Sequence, residues 1–454
     1  MCPRASLPCC AVVTTTRARN HARQFLVDEP RRPENTSPPD PAHPDVESMP
    51  IKVAAILTCF RHRSHANVIL ENFLEPYLFR GKKVDPRKEF RVVSMYVDQF
   101  PKVDMARGVA RDYKIKIQPT ITKALCQGGR RLAVDAVLSI GEHGTYSFNR
   151  LGQKRYPRKR FFDEIAQVIG NSGRTIPVFN DKHLCYRFDW ARQMYETAKE
   201  LNIPLMAGSS CPLAERQPPT ELPRDARIAE AVSIHGGPLE AYGFHALEVL
   251  QSFVEARAGG ETGIVSVEYL RGRQLWNAAR QGRWSLKLAE AAMRAELGTV
   301  PRSIQQVPGE TRVDSDGLLI EYADGLKATM LNIGKNDTRW NFACRLVGER
   351  QVHSTALNVG PWKNRNLFKA LVHSIQSHFR KGRSPYPLER TLMTTGLTDA
   401  MMRAAVHPGD PLHTPELEFG YKPRSFKAMR ENGASWKIIT DDMPEPRGID
   451  NSCG

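Results

Sequence analysis

The chain has 454 residues, enough for two or three domains. Hydrophobic residues make up 41% and charged residues 25%, a globular composition that excludes a fibrous or wholly disordered chain, and no apolar run approaches the ~18 residues that cross a bilayer. The net charge of +16 is spread along the sequence with no nucleic-acid-binding module, so nucleic acid is not an expected partner, although a basic surface attracts an anionic cofactor or substrate.

Residues 1–49 differ from the rest. They carry Pro-Pro-Asp-Pro-Ala-His-Pro at 38–44 and little apolar periodicity, which predicts a disordered extension. Their first part is arginine-rich and free of acids, faintly like a transit peptide. A translation start at Met49, just before the first predicted strand, is the preferred reading. The nine cysteines are scattered without a C-x-x-C pair, which argues against a zinc ribbon or redox motif. An odd, unpatterned set suits a reducing, cytoplasmic setting.

From Ile51 a β-α-β rhythm begins. Val53–Leu57 is a continuous apolar run, as in a parallel strand covered on both faces. A helix is predicted over 66–79, a strand over 90–97 ending in Asp98, helices over 104–113 and 122–126, and a buried strand over 134–140. The basic connection 144–160 follows, either a solvated loop or a lid near the strand ends. A helix over 161–169, a strand over 176–179, a helix over 190–201 and a strand over 203–207 complete the series. Strands alternating with helices predict a Rossmann domain, a doubly wound parallel sheet, over 50–210.

Beyond Ser209 the pattern changes. Pro212, Pro218, Pro219 and Pro223 mark an irregular crossover. Strands are then predicted at 229–235, 263–272, 317–322, 327–333 and 342–347, with Asp324-Gly325 as a hairpin turn. Helices at 241–256, 284–297, 367–379 and 388–405 would pack on them. This is an α+β domain over 211–421 with an open, mainly antiparallel sheet, followed by a polar tail over 422–454.

The first strand runs into Thr58-Cys-Phe60-Arg61-His-Arg63-Ser64-His65. A Rossmann phosphate loop normally places glycines here, for a tight turn and close backbone approach to pyrophosphate at a helix N-terminus. No glycine is present. Context supports a dinucleotide instead: Ser64 is placed to cap the next helix, and Arg61 and Arg63 suit bidentate phosphate contact. Asp98 stands where an acid takes ribose hydroxyls and disfavours a 2′-phosphate. The cofactor is therefore read as NAD, with NADP as the alternative, contacted by Thr58, Phe60, Arg61, Ser64, His65 and Asp98.

Further landmarks follow in order: Asp135-Ala-Val ahead of Gly141-Glu142-His143, Asn180-Asp181-Lys182-His183 at a later strand end, and Gly236-Gly-Pro-Leu-Glu240-Ala241-Tyr-Gly-Phe-His245-Ala-Leu-Glu248 in the second domain. With them, residues 51–410 resemble the Gfo/Idh/MocA oxidoreductases, named for glucose-fructose oxidoreductase and inositol 2-dehydrogenase. The resemblance implies a Rossmann domain followed by an α/β domain whose sheet often pairs two copies, hence a homo-oligomer. It implies cofactor contacts at Glu142 and His143, at a strand end beside the nicotinamide, a catalytic lysine at Lys182, where Asp181 replaces the family's Glu and His183 its Pro, and a catalytic histidine at His245. The family's Asp is Ala241 here, and the adjacent Glu240 is the candidate substitute.

Oxidising a hydroxyl needs a group to take the oxygen's proton as hydride leaves the carbon. Lys182 and His245 are suited to that work, and Glu240 to orienting His245 or a substrate hydroxyl. His143, His183, Cys185, His235 and His245 show no zinc spacing, so no metal is expected. The leading expectation is an NAD(P)-dependent oxidoreductase acting on a sugar, polyol or related hydroxy compound. A non-catalytic dinucleotide- or sugar-binding regulator of the same fold is the alternative, favoured by the missing glycines. A third reading is redox-neutral lyase or hydrolase chemistry through a transient 3-keto sugar.

Overall fold

The computed structural model describes residues 49–299, 304 and 315–450. The predicted N-terminal extension lies outside the described residues, apart from Met49. Strand β1 (Ile51–Leu57) leads into helix α1 (His65–Leu74). The helix is shorter than the spacing predicted. Pro76 forces Glu75 into extended backbone, with φ −130° and ψ 153°, and the chain turns into a hairpin of β2 (Tyr77–Phe79) and β3 (Lys82–Val84). Arg80 and Gly81, both at positive φ, make its two-residue turn.

The Rossmann series continues with β4 (Phe90–Val97), α2 (Ala106–Asp112), β5 (Lys116–Ile117), α3 (Ile121–Leu125), β6 (Ala136–Ile140), α4 (Arg158–Ser172), β7 (Val178–Asp181), α5 (Phe188–Glu200) and β8 (Leu205–Gly208). The six strands of the first sheet lie in the order β5-β4-β1-β6-β7-β8, all parallel. The order reverses between β1 and β6, and ligands bind at such a reversal, beyond the strand ends. Right-handed crossovers place α1 on one face and α3, α4 and α5 on the other. The two-residue β5 has no apolar run to announce it.

The second sheet has eight strands: β9 (Glu215–Gln217), β10 (Ile228–His235), β11 (Ile264–Arg271), β12 (Asp316–Tyr322), β13 (Lys327–Asn332), β14 (Trp340–Leu346), β15 (Val352–Asn358) and β16 (Pro411–His413). Their order is β16-β11-β12-β13-β10-β14-β15-β9. Only β10 and β13 run parallel; the other neighbours are antiparallel. One face carries α6 (Leu239–Val254), joined by residues of the later helix α10 (Leu388–Ala404). The other is covered by α7 (Arg273–Arg280) and α8 (Leu286–Leu297), which bury Val232, Ile234, Leu270, Leu331 and Ala343. The strand face on which a second copy was expected to dock therefore already carries two helices of its own chain.

Helix α9 (Asn364–Lys381) returns to the first domain and packs on α1. All ten α1 residues are buried as a result. A single core runs from Val53 in β1 through Val267 in β11 to Leu417. Residues 422–450, read from sequence as a polar tail, run through two short 3₁₀ turns and bury Phe426, Ile439 and Ile449.

Candidate active site

The ends of β1, β6 and β7 converge on one carboxylate. Glu142 follows β6, and its side chain accepts from Lys182 Nζ at 3.0 Å and from the Arg158 guanidinium. Arg158 opens α4 and is fully buried. Burial alone would raise the Glu142 carboxyl, but the charges of Lys182 and Arg158 outweigh it and hold it well below the usual carboxylate range. Thr58, at the end of β1, donates to the Glu142 carbonyl and so joins the two strand ends.

Lys182 lies just beyond β7 with φ at +61°, and His143 has φ at +68°. Both are left-handed conformations that cost a non-glycine residue about 1 kcal/mol or more. On either side of Lys182, Asp181 pairs with His65 Nδ1 at 2.6 Å and His183 meets Arg158 at 3.2 Å. Burial, then repulsion from Arg158 and Lys182, holds the His183 imidazole well below its ordinary range.

His245 is supplied by α6. Its Nδ1 lies 2.6 Å from Ser209 Oγ, which already accepts from the Cys211 N–H at 2.9 Å. With the serine hydroxyl donating to Nδ1, the imidazole proton resides on Nε2, free for the cavity. Burial first, then the Lys182 charge, keeps this imidazole neutral. His143 reaches the same state differently: burial, then repulsion from His65, lowers it to about 3. Its Nδ1 lies 3.4 Å from Arg61 Nη2, and its buried Nε2 has no partner.

His65, Glu142, His143, Lys182 and His245 line one cavity of about 590 Å³. Ser210, Tyr242, Trp340 and the α9 start at Lys363 and Asn364 complete its walls. The Tyr242 and Trp340 rings stack with 6.0 Å between centroids and 11° between planes. Ser210 is 1% exposed, and its hydroxyl finds no nitrogen or oxygen partner.

The remaining expected residues lie elsewhere. Phe60 is fully buried in the core, at a loop position where a glycine would let pyrophosphate approach. Ser64 caps α1, accepting from the Asn67 and Arg61 amides. Arg61 is exposed. Asp98 accepts from Tyr96 and Tyr146 at 2.7 Å each and from Arg160 at 2.6 Å. Burial would raise its carboxyl, but those three donors lower it. Glu240 accepts from the Lys154 backbone amide at 3.0 Å and is raised by burial; it anchors the 144–160 connection and does not line the cavity. Sequence reasoning missed Ser209, Ser210, Arg158, Tyr242, Trp340, Lys363 and Asn364 as site residues. Of these only Tyr242 stood inside a quoted landmark, beside His245.

No group of three or more metal-ligating side chains is found among the described residues, and no helix among them is long and apolar enough to cross a membrane. No protein-family model matches the chain, and no curated sequence is significantly similar to it. Among solved structures, GenD2 from gentamicin A biosynthesis, in complex with NAD, is 14% identical, over 83% of this chain and 99% of that one, with a TM-score of 0.49. A myo-inositol dehydrogenase from Corynebacterium glutamicum is 13% identical, over 80% and 99%, with a TM-score of 0.49. The WlbA dehydrogenase from Bordetella pertussis, in complex with NADH and UDP-GlcNAcA, is 12% identical, over 81% and 99%, with a TM-score of 0.46. The chain pairs a six-stranded parallel sheet with an eight-stranded, mainly antiparallel one, the two-sheet order that its sequence landmarks imply.

Proposed function

We propose that the protein is an NAD-dependent oxidoreductase acting on a hydroxyl-bearing, carbohydrate-like small molecule. The observation that carries this reading is the meeting of Lys182 from the first domain and His245 from the second across one cavity at the ends of β1, β6 and β7. A nicotinamide would supply hydride exchange with the substrate carbon. Residues present fit that end of the cofactor: the unpartnered Nε2 of His143 is a donor at the cavity wall, and Arg61 and Arg63 flank the α1 N-terminus. Lys182 and the Nε2–H of His245 hold the substrate oxygen, and Lys182 handles its proton. The stacked Tyr242 and Trp340 offer an aromatic wall to a sugar ring.

Two observations favour a second reading, a binding protein without turnover. Asp98 already accepts from three side chains, and Phe60 fills the core beneath the glycine-less loop. Purified protein titrated with NADH, followed by turnover across a panel of sugars, polyols and hydroxy acids, separates the two. The oxidoreductase reading expects NADH binding and turnover, with the Lys182→Ala variant losing about 100-fold or more in kcat while NADH binding survives. Full activity in that variant removes Lys182 from the chemistry. Binding without turnover on any substrate selects the second reading.

A further inference from the structure

A crevice of about 760 Å³ lies between the end of α6 and the C-terminal segment, and it shares no lining residue with the cavity of Lys182 and His245. Three buried guanidiniums sit in its wall; Arg257 is committed to Glu261 and Asp324, and the other two share one partner. Arg216 is 8% exposed and Arg430 is 7% exposed. Both pair with the same half-exposed carboxylate, Glu221. A guanidinium has five N–H donors. Arg216 commits only Nη1, to the Thr220 carbonyl at 2.8 Å and to Glu221 at 3.4 Å, and its Nε has no partner. Arg430 commits only Nη2.

Charge balance in the crevice is uneven. The exposed Arg424 and Lys427 stand at its rim without an ion pair among the described residues, so with Arg216 and Arg430 four cations face Glu221. Arg224 at the same rim is offset by Asp225, and Glu255 is committed to the buried Arg390. Burial, then repulsion from Arg430, lowers the Arg216 guanidinium to about 9. Holding two buried guanidiniums on one carboxylate is costly, and an entering anion relieves it. The guanidinium of Arg216 lies 3.8 Å over the Phe253 ring, and Leu222, Pro223 and Phe426 give the crevice an apolar side.

We propose that this crevice binds a phosphate-bearing small molecule, with Arg216 and Arg430 as the fork that holds the phosphate and Arg424 and Lys427 as the rim that draws it in. A single carboxylate would leave most of the excess positive charge in place. A phosphate monoester, carrying about −1.5 to −2 near neutral pH, matches it, and planar guanidiniums suit its oxygens. The apolar side accommodates a ring or chain on the ester.

The test is calorimetric titration of the full-length protein with inorganic phosphate, phenyl phosphate and acetate at constant ionic strength. Saturable binding of both phosphates is expected, with phenyl phosphate the tighter. The double variant Arg424→Ala/Lys427→Ala, altered only at exposed positions, is expected to weaken phenyl phosphate at least about tenfold. Arg430→Lys, which keeps the charge and loses the fork, is expected to weaken it also. Absence of saturable binding, equal affinity in the rim variant, or acetate binding as tightly as phosphate overturns the proposal.

Discussion

Lys182 and Glu142 are the side chains on which the site turns, and each has a distinct physical signature. Removing the Glu142 charge leaves two buried cations, Lys182 and Arg158, without an ionic partner. Glu142→Gln is therefore expected to destabilise the fold by about 3–5 kcal/mol at pH 7, measured by urea unfolding. The sign with pH follows from its depressed carboxyl: the stabilisation is present above the ordinary carboxylate range and is lost as pH falls through the folded value. The gap between wild type and variant should narrow only in acid; a gap that closes near neutrality would sink this account. His245 is expected to stay neutral through the ordinary imidazole range, because burial and Lys182 hold it well below 6.5. A ¹⁵N imidazole titration with a midpoint between 6 and 7 would contradict that. Lys182 and His245 were legible in the sequence because each sits in a recognisable run. Ser209 and Ser210 were not, since serine is common in turns and their role arises from packing against α6. Arg158 was hidden in plain view: among the basic residues at 154–160 it alone turns fully inward.

The connection 144–160 is the element most at odds with an ordinary cofactor groove. It follows β6 and lies back over the end of β4. Thr145 exchanges two hydrogen bonds with Gln99, at 2.8 and 2.9 Å, while Tyr146 and Arg160 take the Asp98 carboxylate. Its length and charge were readable, and a lid was one expectation for it. Its docking on Asp98 was not, because the contact joins residues 48 and 62 apart in the chain. If Asp98 holds a ribose, then Tyr146→Phe frees an oxygen for it, and NADH should bind several-fold tighter, read by fluorescence titration. An unchanged affinity would place the ribose elsewhere. The long strands and helices were legible from apolar periodicity. Strands β9, β15 and β16 were not, because they are short or polar and their edges are defined by partners. Helix α7 was missed for a related reason: only Leu275 and Ala278 of its eight residues are buried.

At the scale of the molecule, the two-domain order was legible and the coupling between domains was not. Helix α8 lies over β10, β14 and β15, so the face expected to pair two copies presents the outer sides of α7 and α8 instead of strands. Light scattering on the full-length protein is expected to give the mass of one chain; a concentration-independent dimer would require an interface on those helices or elsewhere. Glu445 links the two halves, pairing with Arg63 in the first loop and with Arg365 in α9. The burial of α1 has a consequence for how the protein is made. One side of α1 faces the first sheet, and the other is completed by α9 and its Arg365, which pairs with Glu71. Those partners leave the ribosome some three hundred residues after α1 does. The nascent first domain must therefore wait, with an apolar flank uncovered, until nearly the whole chain has emerged, and chaperone protection during synthesis becomes part of its folding route.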